Sequence, residues 1–261
     1  MKAGSRGLAL GCFALGCFAL LMTRPAWAET VKVLTAGAFK QVVVALVPSF
    51  EAARPGDHIV VDNDTVGALV RRVDGRETFD LLVLSPAAIE ELTGRGRLVP
   101  GSRIDLARVG IGVAVKAGAP VPDIGTAASF TKTLLAAPSI AYLDPAAGGS
   151  SGIYVAQMLG RLGIAEAVAP KTVLVPGGLV AQQVANGTAA LGIHQISELL
   201  PVPGITYVGP LPAELQSYTA YAGAVASKAA DPAAASAFLV FLAGSEGIRV
   251  MHEKGMEPAG R

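Results

Sequence analysis

DPAAGGSSGIY, residues 144–154, lies between an apolar run, SIAYL (139–143), and an amphipathic stretch at residues 153–162. Within it, GGSSG (148–152) satisfies G-x-S-x-G, the pattern that in serine hydrolases sets a nucleophile on a sharp turn directly after a strand. The same residues suit a helix start whose free N–H groups hold an anion. Spacing favours the second reading, because six residues, 144–149, separate Leu143 from Ser150. No HGG-type segment lies upstream to supply an oxyanion hole, and the downstream histidines are His194, after a strand, and His252, among charged neighbours. A secreted serine hydrolase using Ser150 is the minor alternative.

Outward from this stretch, short apolar runs alternate with helical patterns. Residues 31–36, 58–61 and 80–84 read as strands, followed by helices at 39–53, 65–73 and 86–92. Val42, Val43, Leu46 and Phe50 share one face of the first helix, which Pro48 should bend. Ser85 caps the third, with Pro86 at its first position. This order implies a parallel sheet with helices on both faces. Residues 109–115 form a longer, glycine-interrupted run, and a second alternating set follows. It has helices at 129–135, 152–162 and 179–185, and strands at 139–143, 171–175, 190–193 and 205–208. Residues 217–227 resemble the 109–115 run, and helices at 231–243 and 245–254 end the chain. The fold class expected is α/β: two Rossmann-like lobes joined by two crossover segments. Residues 29–112 with 222–261 would form lobe 1, and residues 113–221 lobe 2.

The first 28 residues read as a signal peptide. Lys2 and Arg6 precede an uncharged apolar run at 8–22, and AWA (26–28) supplies the small-x-small cleavage pattern, placing the mature start at Glu29. That run is shorter than the ~20 residues a membrane span needs. Both cysteines, Cys12 and Cys17, lie in this segment, so the mature chain has neither a disulfide nor a thiolate metal site. Losing three cations and no acid takes the formal charge from +1 to about −2. Without a basic run or an aromatic-basic patch, nucleic acid is not a partner. A chain 52% hydrophobic and only 16% charged is well buried and globular.

Three histidines, His58, His194 and His252, and no thiol leave no zinc spacing, and no metal is expected. Asp62 and Asp64 lack an ordered calcium ladder and read as turn formers around Asn63. No P-loop or G-x-G-x-x-G follows a strand, so no cofactor is expected. What recurs is a run of small or hydroxyl residues at four strand-to-helix junctions: TAGA (35–38), DTVG (64–67), GSSG (149–152) and PGG (176–178). A helix start exposes unsatisfied N–H groups and the positive end of the helix dipole. Doubly wound sheets bind ligands beyond the carboxyl ends of their strands, so two facing sheets would converge these junctions on one ligand.

Read in order, LTAGAF (34–39), VGALVR (66–71), FDLLVLS (79–85), DP (144–145) with GIY (152–154), ALGI (190–193) and KGMEP (254–258) give the chain a resemblance to the periplasmic molybdate-binding protein family. These are type 2 solute-binding proteins of ATP-driven (ABC) importers, and the resemblance spans most of the mature chain. It implies a non-enzymatic, monomeric periplasmic protein that closes over a small oxyanion such as molybdate or tungstate and delivers it to an inner-membrane ABC permease. The ligand set it implies is Ala38, Thr65, Ser151, Gly177 and Gln195. Gly37, Asn63, Asp64, Val66, Ser85, Ser150, Tyr154, Gly178 and His194 are further candidates. Ala38 stands where the family usually has serine, and Gln195 where it often has tyrosine. Ser151 stands where alanine is common, in a loop one residue longer. Asp64 beside Thr65 repels a dianion unless it is paired. These departures make a small organic or other polar solute the alternative, with Gln195, Asn63, Ser150 and Ser151 as its donors and acceptors.

Overall fold

The computed structural model describes Met1 and residues 29–260, so the expected signal peptide lies outside the described residues. β1 (Glu29–Ala36), α1 (Gly37–Ala53), β2 (Asp57–Asp64), α2 (Val66–Asp74), β3 (Leu81–Leu84) and α3 (Pro86–Gly94) alternate, and β1 pairs in parallel with both β2 and β3. β4 (Ile104–Lys116) leads into the second set: α4 (Ala127–Ala136), β5 (Ile140–Leu143), α5 (Ser150–Arg161), α6 (Ala165–Val168), β6 (Thr172–Val175), α7 (Ala181–Ala185), β7 (Leu191–Gln195), α8 (Ile196–Leu199) and β8 (Ile205–Pro210). The chain returns through β9 (Tyr218–Val225) and ends in α9 (Pro232–Leu242), α10 (Ser245–Glu253) and β10 (Glu257–Pro258).

The strand order is β2-β1-β3-β9-β4-β7-β5-β6, with β8 and β10 also on β4. This path is continuous only because β4 serves both lobes. Its residues 104–110 pair with β9, whereas residues 111–116 pair with β7 and β8. The chain crosses a second time between β8 and β9. Each side of the switch has its own core: Phe39, Phe50, Leu82 and Phe238 belong to one, and Phe130, Met158 and Ile193 to another. The molecule is a bilobal α/β protein.

Local chemistry explains the elements that hold the cleft. The anticipated face of α1, Val42, Val43, Leu46 and Phe50, is buried, and Pro48 is accommodated inside the helix on its exposed side. β3 and β5 are buried at all four positions, as strands covered by helices on both faces must be. Two expectations are corrected. Asp62, Asn63 and Asp64 form no turn. They extend β2 in register with Leu34, Thr35 and Ala36, so their backbone groups are taken by the ladder. α1 and α5 each begin two residues earlier than the apolar pattern indicates, at Gly37 and Ser150, because small residues at a helix start carry no periodic signal.

Candidate functional site

Between the lobes lies a cavity of about 210 Å³, walled by strand-to-helix junctions of both. The first lobe contributes Gly37 and Ala38 at the start of α1, Lys40 and Gln41 beyond them, and Asn63 to Val66 between β2 and α2. Facing them are Gly149, Ser150 and Ser151 at the start of α5, Gly177 and Gly178 after β6, Gln195 at the end of β7 and Glu198 on α8. Tyr221 of β9 lines the same space.

The helices sort by how their first turns are capped. Thr65, Ser85, Thr126 and Asp231 accept from backbone N–H groups at the starts of α2, α3, α4 and α9. α1 and α5, which open into the cleft, have no side-chain cap. The short helices α6, α7 and α8 and the terminal α10 are also uncapped; of these α8 reaches the cleft, through Glu198, and α10 does not line it. Unsatisfied N–H groups at α1 and α5, reinforced by the helix dipoles and the ammonium of Lys40, favour an anionic guest.

All five residues implied by the family resemblance line this one cavity, as do Gly37, Asn63, Asp64, Val66, Ser150 and Gly178. Their roles differ from expectation. The Thr65 hydroxyl accepts from the Ala68 N–H as a helix cap and donates to the Ala147 carbonyl at 2.6 Å, across the cleft. Gly148, at φ 75°, allows this approach: a Cβ there would lie 3.3 Å from the Gly67 Cα. Gln195 is committed as well. Its Nε2 donates to the Ser150 and Thr219 hydroxyls, each at 3.0 Å, and its Oε1 accepts from the Tyr221 hydroxyl at 2.9 Å. Its side-chain amide therefore ties β7 and α5 to β9 instead of offering a free donor to a solute. The phenol at the cleft comes from Tyr221. Asp64 accepts from the Thr65 N–H and stands 3.8 Å from Arg72, which offsets part of its charge.

Three further candidates lie elsewhere. Ser85 and Tyr154 line an adjoining groove with Tyr218, which meets the cleft at Ser150. The Ser85 hydroxyl caps α3, and the Tyr154 hydroxyl donates to the Leu215 carbonyl at 2.9 Å. His194 is wholly buried behind the cleft wall, because successive residues of a strand point to opposite faces and Gln195 takes the cleft side. Ser150 bonds Gln195 and Thr219, not a histidine, and it opens a helix after a short 3-10 turn instead of a strand-to-helix elbow.

Glu198 was not anticipated. Its carboxyl Oε1 lies 2.8 Å from where a Cβ on Gly37 would stand, so glycine at the start of α1 leaves room for it. Its Oε2 is 3.4 Å from His194 Nε2, yet neither ring nitrogen of His194 has a hydrogen-bond partner. Burial pushes Glu198 up to about 8 and His194 down to about 3, so both are neutral at mildly acidic pH. The signs of the two linkages differ. Glu198, raised in the fold, adds stability below its unfolded value near 4.5 that is lost as pH climbs through 8. His194, depressed in the fold, adds stability above its unfolded value near 6.5 that is lost as pH falls through 3. Between 4.5 and 6.5 the two slopes oppose one another. The melting temperature is therefore expected to peak broadly in that window and fall on both sides. A thermal-denaturation series from pH 3 to 9 that still climbs between 7 and 9 would contradict this.

Tyr221, Lys40 and Gln41 escaped the sequence reading because they lie in elements whose pattern signals packing only, and Glu198 because it lies on a helix of four residues, too short to show a pattern. One clue was present. HQIS (194–197) is a fifth strand-to-helix junction, and α8 starts there.

Residues 31–257 match the family described as bacterial extracellular solute-binding protein. An aconitate isomerase from a Pseudomonas species is 34% identical over 256 residues, spanning 96% of this chain and 95% of that protein. Among solved structures, the periplasmic molybdate-binding protein of Azotobacter vinelandii matches with a TM-score of 0.76 at 20% identity, over 88% of this chain and 100% of that one. A sulfate-binding protein of Mycobacterium tuberculosis matches with a TM-score of 0.71 at 18% identity, over 88% and 87% of the two chains. These neighbours share the bilobal type 2 periplasmic binding fold. With its cleft walled by helix starts and a family match covering nearly all the described residues, this chain belongs to the bacterial extracellular solute-binding protein family.

Proposed function

We propose that the cleft takes a small unsaturated polycarboxylate and that the chain shifts its double bond, as an isomerase of the aconitate class. The observation that carries this reading is Glu198, a buried carboxyl in the wall of an anion-attracting cleft. Moving a double bond requires a group beside the ligand that takes up a proton and returns it, and a buried carboxyl is such a group. Support comes from the aconitate isomerase that is 34% identical over nearly its whole length. Lys40 and the uncapped starts of α1 and α5 suit carboxylates as well as oxyanions.

A second reading keeps the chain a carrier only, closing over molybdate, tungstate or a related oxyanion and handing it to an inner-membrane ABC permease. The buried Ser151 at the start of α5 and the likeness to the Azotobacter vinelandii protein favour it. In either case we place the mature chain in the periplasm after removal of residues 1–28. We take lobe 1 as residues 29–112 with 222–261, and lobe 2 as residues 113–221.

Calorimetry with the purified mature chain separates the readings. Cis- and trans-aconitate are expected to give binding heat, molybdate and tungstate none, and proton NMR to show the two aconitates interconverting. Heat from molybdate or tungstate, with none from aconitate, would refute the isomerase reading and leave the carrier.

A further inference from the structure

We infer that Glu198 is the residue that moves the proton in this cleft, and that the buried face behind it, closed by His194, keeps that carboxyl out of water. The inference deepens the isomerase reading and rests on it. Glu198 sits on α8, a single helical turn placed directly after β7, so the strand end fixes its position. One carboxyl oxygen lies against Gly37 at the start of α1, whose first-turn N–H groups take no side-chain cap and suit a ligand carboxylate. The other points back at the His194 imidazole, 3.4 Å away. That ring is fully buried and has no hydrogen-bond partner on either nitrogen, an arrangement ordinary packing does not reward.

The chemistry needs only one such group. Aconitate is a three-carbon chain, CH₂–C=CH, with a carboxylate on each carbon. A base removes a proton from the methylene, breaking that C–H bond. The freed pair becomes a new C=C bond to the central carbon, and the old π pair moves to the far carbon, delocalised into its carboxylate. The far carbon then takes the proton back from the protonated base. Because the skeleton is symmetric, the product is aconitate again, with the geometry of the double bond open to change. Atoms and charge balance with no co-reactant, and Glu198 ends as it began. Backbone N–H groups and Lys40 stand where they can stabilise the delocalised charge.

The charged and titratable groups facing Glu198 are His194 of β7, Tyr221 of β9, Lys40 of α1 and Asp64 at the end of β2. β4, which also packs on α8, presents Gly112 against Ile196 there. Burial sets Glu198 near 8, within reach of working pH for an acid–base group.

The test uses the mature chain in D₂O with trans-aconitate as probe, followed by proton NMR, alongside calorimetry. The native protein should exchange ligand hydrogens and interconvert the isomers, at a rate that climbs as pH passes through about 8. Glu198→Gln should bind within about threefold of native but lose exchange and interconversion by about a hundredfold or more, the scale of general acid–base catalysis. If Glu198→Gln turns over within about tenfold of native, the inference is overturned while the isomerase reading stands. If the native chain binds aconitate but neither exchanges nor interconverts it, the isomerase reading itself falls. Should Glu198→Gln not fold, Glu198→Asp decides: loss of about tenfold or more in rate at native affinity supports the assignment, and a native rate removes it.

Discussion

Gly152→Ala is expected to destabilise the protein by about 3 kcal/mol and to weaken binding of whatever the cleft holds, the larger effect of a buried overpacking change. A Cβ at position 152 would lie 2.1 Å from the Leu143 carbonyl oxygen and 2.8 Å from its carbon. Both are backbone atoms at the end of β5, so no rotamer change relieves the contact. α5 would have to move away from the strand, taking Gly149, Ser150 and Ser151 out of the cleft wall. Gly160 on the same helix provides the contrast, because nothing lies within 4 Å of a Cβ there. Gly160→Ala should therefore stabilise by about 0.5–1 kcal/mol, the helix-propensity difference. Urea denaturation of both variants checks the pair. Equal midpoints for Gly152→Ala and the native protein would show that β5 and α5 do not approach so closely.

The glycines of GGSSG looked like backbone left bare for a ligand. Gly152 serves packing against Leu143, and Gly148 serves the contact between the lobes at Gly67. A motif read along one chain gives residue types, but which neighbour needs the missing Cβ depends on chain segments far away.

The two-lobed α/β framework was legible because buried parallel strands are apolar runs and the helices between them keep a 3.6-residue period. The cap at Ser85 was legible too: it precedes Pro86, and its side chain accepts from a helix N–H group. The cleft was legible in outline, since helix starts must lie at strand ends. Hydrogen-bond partnership was not. Thr65 meets the carbonyl of Ala147, 82 residues on, and Gln195 meets Ser150 and Tyr221 from two other elements. Tyr154 and Ser85 sit in motifs beside the cleft yet turn to a different groove, because side-chain direction follows the local element and not the order of the motifs. Glu198 was hidden by the four residues of α8, too few to show a period.

Gln195→Leu is expected to cost about 1–3 kcal/mol in stability, the penalty for orphaning a buried polar group. Gln195 is 2% exposed and joins three hydroxyls. Two have a fallback, because Thr219 already donates to Ser150 at 3.2 Å. The Tyr221 hydroxyl is buried and donates to Gln195, with Ser150 as its other hydrogen-bond neighbour, so part of the loss should fall there. Tyr221→Phe removes the same hydroxyl from the other end. The double variant Gln195→Leu with Tyr221→Phe should then be more stable than the summed single losses imply, by about 0.5–3 kcal/mol of coupling. Additive losses in chemical denaturation would show that the two side chains do not depend on one another. Gln195→Tyr follows from the same geometry. The family resemblance suggests that a phenol at 195 would favour molybdate, but Tyr221 already brings one to the cleft, and a second ring would break the hydrogen bonds that Gln195 makes to Ser150, Thr219 and Tyr221. That substitution is expected to destabilise by about 1–3 kcal/mol and to confer no molybdate heat in calorimetry. A stable Gln195→Tyr protein that binds molybdate would mean that β7, and not β9, is the strand that decides which anion this cleft accepts.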